Sequence, residues 1–302
     1  MKTSSDYTVA VLGLGAMGLP MATRLASGLT VNGFDIAPAR LELAAAAGIR
    51  TFTSGADAAA GADAVLLAVR NGTQLNDVLF GETGIAGALK PGAVVLMTST
   101  VGVAAVTEVA EKLAALNVEL VDAPLSGGPV RAGAGDLLIV VGASEAARLR
   151  AQPVLDLLAS TLSIVGSKAG DGQALKTVNQ LLCGVHIAAA AEALALAKSL
   201  GLDEAKTLDA LQAGAAASFM LGNRGPRMLE AYEEGGAEVL SRLDIFVKDL
   251  GIVTKAAREV ALPTPVAAAA EQLFLLGQAA GLGAADDSAV IKVLAPEDAS
   301  EN

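Results

Sequence analysis

Lys176 and Asn179 stand three positions apart in a stretch, Gln173 to Ser199, that is otherwise mostly Ala and Leu. In a helix that spacing puts both side chains on one face. An ammonium held against an apolar wall loses hydration, its pKa falls, and it can give or take a proton near neutrality. A lysine stem also runs along apolar helices with its charge simply in water. The rest of the chain has to decide between these two readings.

Gly13-Leu14-Gly15-Ala16-Met17-Gly18 follows an apolar run and leads into a helical pattern toward Ser27. Gly13 permits a tight turn, Gly15 lets a pyrophosphate approach the backbone, and Gly18 allows close packing of helix on strand. The helix N-terminus then receives the phosphates. Asp35 closes the second apolar run, where a ribose 2′-hydroxyl would lie. Its carboxylate accepts from the hydroxyls of NAD and repels the extra phosphate of NADP. Arg40 is the nearby residue that could accommodate such a phosphate, although a solvated place on a helix suits it better. NAD is the expected cofactor and NADP is disfavoured.

Asp122-Ala123-Pro124-Leu125-Ser126-Gly127-Gly128 follows another apolar run, at the sheet edge where open α/β folds bind ligands. Ser126, Gly127 and Gly128 could turn a hydroxyl and backbone N–H groups toward an anion; taken alone, the segment is also an ordinary turn. A dinucleotide site raises the weight of the pocket reading, and it gives Lys176 a task. Reversible hydride transfer at an alcohol needs a partner for the hydroxyl proton. The single histidine, His186, has no sequence-adjacent carboxylate to orient it and is better suited to packing in a core or interface. Neither Tyr7 nor Tyr232 has a lysine four residues on.

The 302 residues are 53% hydrophobic, enough for a large core and, by length, two domains. With no Trp and few aromatics, that core must be built from Ala, Val and Leu. A net charge of −11 without any basic stripe argues against nucleic acid. It does not exclude an anionic substrate, since a few local cations outweigh distant, screened carboxylates. One cysteine, Cys183, and one histidine leave no disulfide framework and no zinc set, so no metal is expected. Met1 to Asp6 lacks the tripartite pattern of a signal peptide. His186 and Glu192 interrupt the apolar run from Leu181 to Ala197. The expected protein is cytoplasmic and makes no membrane contact.

Val9 to Leu12, Thr30 to Phe34, Ala64 to Val69, Ala93 to Met97, Val118 to Val121, Leu137 to Val141 and Leu162 to Val165 read as buried strands. Ala-rich helical stretches separate most of them, which implies a mainly parallel sheet covered on both faces. Beyond Gly166 only helices are expected, broken at Gly201, Gly214, Gly222 to Pro226, Gly235-Gly236 and Pro263 to Pro265. The chain thus divides into residues 1–168, binding the dinucleotide, and 169–302, helical, with the Lys176 helix opening the second part.

The Gly13 to Gly18 loop, Ser99-Thr100, Asp122 to Gly128, Gly172 through Asn179 and Lys248-Asp249-Leu250 span nearly the whole chain. In this order they resemble the motifs of the β-hydroxyacid dehydrogenases. That group includes 3-hydroxyisobutyrate dehydrogenase, tartronate semialdehyde reductase and the NAD-binding 6-phosphogluconate dehydrogenases. The resemblance implies an α/β fold: an N-terminal Rossmann domain joined by a long interdomain helix to an all-α C-terminal domain that serves substrate binding and assembly into homodimers or homotetramers. It makes Lys176 the general acid/base, Asn179 an amide that helps hold substrate, and Ser126, Gly127 and Gly128 the carboxylate-binding positions. Thr100 and Lys248 match cofactor contacts, as do Val69, Arg70 and Asn71. Leu182 to Ala193, Asn223 to Met228 and Asp244 to Asp249 resemble the branch that oxidises L-threonate. Asn179-Gln180 departs from the family's commoner pair of asparagines, and that branch often has His where this chain has Asn179.

The expected activity is NAD-dependent oxidation of a small anionic hydroxy acid, a four-carbon aldonate such as threonate. The alternatives are tartronate semialdehyde or a related semialdehyde reductase, 3-hydroxyisobutyrate dehydrogenase, and a nucleotide-binding regulator that kept the fold without the chemistry. Retention of Lys176 argues against that regulator and against imine reductases, which usually replace the lysine.

Overall fold

A computed structural model describes residues 7–296, so the lead-in read from Met1 to Asp6 lies outside the described residues. The chain forms two compact units that divide between Lys176 and Thr177. In the first, β1 (Thr8–Leu12), β2 (Thr30–Phe34), β3 (Arg50–Thr51), β4 (Ala64–Leu67), β5 (Val94–Met97), β6 (Glu119–Asp122), β7 (Leu125–Ser126), β8 (Leu137–Gly142) and β9 (Ala159–Gly166) make one sheet. Its order is β3-β2-β1-β4-β5-β6-β8-β7, with β9 also on β8. Every pair from β3 through β6 is parallel, whereas β8 runs antiparallel to β6 and β7.

The connecting helices are α1 (Gly18–Leu25), α2 (Pro38–Ala46), α3 (Gly55–Ala59), α4 (Gly72–Phe80), α5 (Val103–Ala114), α6 (Gly128–Ala134) and α7 (Glu145–Leu158). Alternate strand residues face opposite ways. Val9, Val11, Leu66, Leu96 and Val121 pack with Met21 and Leu25 of α1 and Val154 of α7. Ala10, Leu12, Leu67, Val95 and Met97 pack with Leu75 and Leu79 of α4 and Val109 of α5. Two buried faces explain why these strands are continuously apolar in sequence.

The edge of the sheet departs from that expectation. Leu162 to Val165, read as buried, lies in β9, which pairs only with β8 and leaves Ile164 54% exposed. An edge strand has one neighbour and is left more open to solvent than the strands inside the sheet. The two-residue strands β3 and β7 carry no periodicity that a sequence pattern could detect.

The second unit is helical, as expected. α8 (Asp171–Ser199) crosses the divide and is followed by α9 (Glu204–Gln212), α10 (Phe219–Glu230), α11 (Leu243–Glu259), α12 (Pro265–Ala279) and the short α13 (Ile291–Leu294). By length and composition α8 could cross a membrane, but its Ile187, Ala191 and Leu194 lie in a protein core with Leu208, Met228, Phe246, Leu250 and Phe274. Phe246 and Phe274 stack with centroids 5.2 Å apart.

The break expected at Gly222 to Pro226 is absent, because α10 runs through it. Ser218 caps its start by accepting from Leu221 N, and a buried face of Leu221, Gly225, Arg227 and Met228 outweighs the proline. Gly225 lies so close to Leu208 of α9 that a Cβ would collide with it. The charged residues of this segment are structural: Arg224 grips Asp287 with two hydrogen bonds of 3.1 and 2.8 Å, and Arg227 pairs with Asp286. Burial pushes the Asp287 carboxyl up against the opposing pull of Arg224.

Candidate active site

The sheet grows from β1 outward through β2 to β3, then restarts on the other side with β4. Loops leaving β1 and β4 therefore diverge and open a crevice at the strands' C-terminal ends. Gly13 to Gly18 fills the first loop. Gly13 has φ +92°, and a Cβ there would strike the Ala68 carbonyl; a Cβ on Gly18 would strike the carbonyl of Gly13. Gly15 differs, for nothing lies within 4 Å of where its Cβ would be. The loop is closed against the protein and open above Gly15, the fit that a dinucleotide pyrophosphate requires.

That contrast yields an expected result. Gly15→Ala should leave stability within about 1 kcal/mol of the parent, while weakening NAD binding by at least about tenfold. Gly18→Ala should cost roughly 1–3 kcal/mol or more through overpacking. Thermal unfolding and NAD titration of both variants check this. Equal loss of stability in the two would remove the ligand-facing role of Gly15.

Asp35 stands at the end of β2 with both oxygens tied to backbone: Oδ2 accepts from Leu14 N at 2.6 Å and Oδ1 from Ala37 N at 2.8 Å. The acid is thus fixed beside the glycine loop, each oxygen keeping a lone pair for a ribose hydroxyl. Its neighbour Ile36, 88% exposed, brings no positive charge. After β4, Val69 to Asn71 forms the turn into α4. There Asn71 Oδ1 accepts from Gln74 N, and Gln74 Oε1 accepts in return from Arg70 N, both at 2.9 Å. This reciprocal cap holds the turn's backbone. Thr100 lies in the segment between β5 and α5.

Lys176 is 8% exposed and its Nζ donates to Ser126 Oγ at 3.0 Å. Its charge does not lie in water, so the surface reading of this lysine is set aside. Ser126 ends β7, and Gly127 and Gly128 follow with φ +148° and +76°. A Cβ on Gly127 would come within 2.8 Å of Leu137 Cδ2. The turn beside Lys176 is thus one that glycines permit.

Two residues that the sequence placed only within longer segments, with no role of their own, set this geometry. Asp122 is fully buried at the end of β6; Oδ2 accepts from Gly170 N (2.9 Å) and Gln173 N (2.8 Å), and Oδ1 from Gln173 Nε2 (3.0 Å). Gln173 Oε1 accepts from Val101 N (2.9 Å) and Gly102 N (3.1 Å), and its Nε2 also donates to Ser99 O. The first turn of α8 is thereby fastened to the ends of β5 and β6, and Lys176 follows one turn later. Burial pushes the Asp122 carboxyl up, and the Gln173 and Gly170 N–H groups pull it back. An acid closing an otherwise apolar strand is the cue that the sequence offered for Asp122.

Asn179 and Lys248 belong to the second unit, where a polar chain links them. Asn179 Nδ2 donates to Gln180 Oε1 at 2.9 Å, Gln180 Nε2 donates to Asp249 Oδ2, and Lys248 Nζ lies 2.7 Å from Asp249 Oδ1. Gln180 and Asp249 are 7% and 2% exposed.

Comparison with known proteins bears on this arrangement. The NAD binding domain of 6-phosphogluconate dehydrogenase matches residues 8–166. The NAD-binding region of NADP-dependent 3-hydroxyisobutyrate dehydrogenase matches residues 170–294. An L-threonate dehydrogenase of Pectobacterium atrosepticum is 41% identical over 295 residues, 97% of this chain and 96% of that protein. One from Escherichia coli K12 is 40% identical over 297 residues, again 97% and 96%. The crystal structure of a 3-hydroxyisobutyrate dehydrogenase from Salmonella typhimurium superposes with a TM-score of 0.87 at 39% identity, covering 95% of this chain and 100% of that one.

Proposed function

We propose that this chain, which belongs to the β-hydroxyacid dehydrogenase family, oxidises a four-carbon aldonate such as threonate, with Lys176 as general acid/base. It is an NAD-dependent oxidoreductase of hydroxy acids, so the regulator reading falls away. The observation carrying this proposal is the buried Lys176 amino group, its Nζ 3.0 Å from Ser126 Oγ; the neutral amine takes the proton and the ammonium returns it in the reverse direction. That contact joins a proton-transfer group to a serine-glycine turn of the kind that receives a carboxylate. Full-length relatives acting on L-threonate support the substrate class.

In this reading Lys176 takes the proton of the reacting hydroxyl, and Ser126, Gly127 and Gly128 fix the substrate carboxylate. Asn179, one helical turn beyond Lys176, helps hold the substrate. Bound NAD supplies the acceptor for the hydride. Gly13, Leu14, Gly15, Ala16, Met17 and Gly18 cradle its pyrophosphate, Asp35 takes the ribose, and Val69, Arg70, Asn71, Thr100 and Lys248 complete its contacts. Residues 1–168 serve as the nucleotide-binding domain and 169–302 as the substrate and assembly domain. A cytoplasmic homodimer or homotetramer is carried by the family resemblance.

The test is a panel of small hydroxy acids with NAD, followed by NADH absorbance. Oxidation of carboxylate-bearing alcohols and not of their amides is expected; indifference to the carboxylate would overturn the role of the Ser126 turn. The same assay reads cofactor choice. Because Asp35 would face a 2′-phosphate, NAD should be preferred over NADP by at least about tenfold in specificity constant, roughly 1.4 kcal/mol. Equal constants would remove Asp35 from that role.

A further inference from the structure

Asp249 can only accept: its carboxylate takes the Lys248 ammonium on Oδ1 and an amide N–H of Gln180 on Oδ2. The end of the Gln180 amide that faces it must therefore be the NH₂. A planar amide has its oxygen on the other side, and Gln180 Oε1 indeed meets Asn179 Nδ2 at 2.9 Å. The second Nδ2 hydrogen of Asn179 is directed to Cys183 Sγ at 3.4 Å. Both donors of Asn179 are thus committed inside the protein, and the group it can present to a ligand is its carbonyl oxygen, an acceptor.

We infer that Gln180 is a positioning residue that orients Asn179 to accept a hydrogen bond from a second substrate hydroxyl, selecting acids that carry a vicinal diol. This rests on the reading of Asn179 as a substrate-holding residue. The reacting hydroxyl has one proton, and that proton leaves with Lys176. An acceptor is of no use to that hydroxyl, but it serves a neighbouring one that keeps its proton. An amide left to rotate could offer NH₂ or oxygen equally and would discriminate less. Gln180 is 7% exposed and its bond to Asp249 is buried, which shields the orientation of its amide from solvent.

The experiment combines three substrates with two enzymes. Specificity constants are measured for threonate and for the four-carbon acids lacking flanking hydroxyls, 2-hydroxybutyrate and 3-hydroxybutyrate, using the wild type and Gln180→Met. The wild type should favour threonate by about tenfold or more, mainly through KM, and that ratio should shrink at least about fivefold in Gln180→Met. A merely structural role would lower all substrates together and leave the ratio unchanged, which would overturn the inference while sparing the proposed function. No oxidation of threonate by the wild type would overturn both. Should Gln180→Met fail to fold, Asp249→Asn replaces it. An amide at position 249 can donate to or accept from Gln180, so the same collapse of the ratio is expected and an unchanged ratio again counts against the inference.

Discussion

Lys176→Ala is expected to lower kcat by about 10²- to 10⁴-fold while leaving NAD affinity within a few-fold of the parent. The proton route disappears, but the glycine loop and Asp35 remain in place. Neither tyrosine is placed to substitute. Burial and the charge of Asp63 push the Tyr7 hydroxyl well above the usual phenol range, and it is spent on the Arg150 carbonyl at 2.7 Å. The Tyr232 hydroxyl donates to the Ala295 carbonyl at 2.7 Å. Lys176→Arg separates the proton from the charge. A guanidinium keeps the positive charge and does not deprotonate in proteins, so this variant should be about as inactive as the alanine. Turnover and NAD titration, run on both variants, check the claim. Near-parental turnover in Lys176→Arg would leave the residue a purely electrostatic part.

Four-carbon aldonates should be used better than 3-hydroxyisobutyrate. A polyol chain brings hydroxyls that a polar pocket can pair, and a methyl in their place leaves buried polar groups unmatched, at roughly 1–3 kcal/mol per group. One such group corresponds to about 5- to 150-fold in specificity constant. Threonate, erythronate, glycerate and 3-hydroxyisobutyrate, compared with NAD at one pH, give the ranking. If the methyl-bearing acid wins, the substrate proposal fails and the family membership stands.

What could be read from sequence was local. The Gly13 to Gly18 loop, Asp35 and the Ser126-Gly127-Gly128 turn each lie within a few residues of the strand they follow, so spacing alone exposed them. Lys176 stood out because the α8 stretch around it is so apolar. The parts that set its position are not local: Asp122 meets Gln173 across 51 residues, and Gln180 meets Asp249 across 69. No spacing rule links such pairs; only the folded sheet and the packing of α11 bring them together. α10 misled for a related reason. Gly222, Gly225 and Pro226 are breakers by propensity, yet the tertiary contact of Gly225 with Leu208 and the Ser218 cap keep the helix whole. The exposure of β9 depended on which strand ends the sheet, and that is a property of topology rather than of the Leu162 to Val165 run itself.

The most direct test of hydride transfer from a four-carbon hydroxy acid uses threonate deuterated at its carbinol carbons, incubated with the enzyme and NAD, and mass spectrometry of the cofactor afterwards. Reduced NAD carrying deuterium from the substrate is the expected result. Absence of reduced cofactor, or reduced cofactor free of the label, would contradict the proposed reaction.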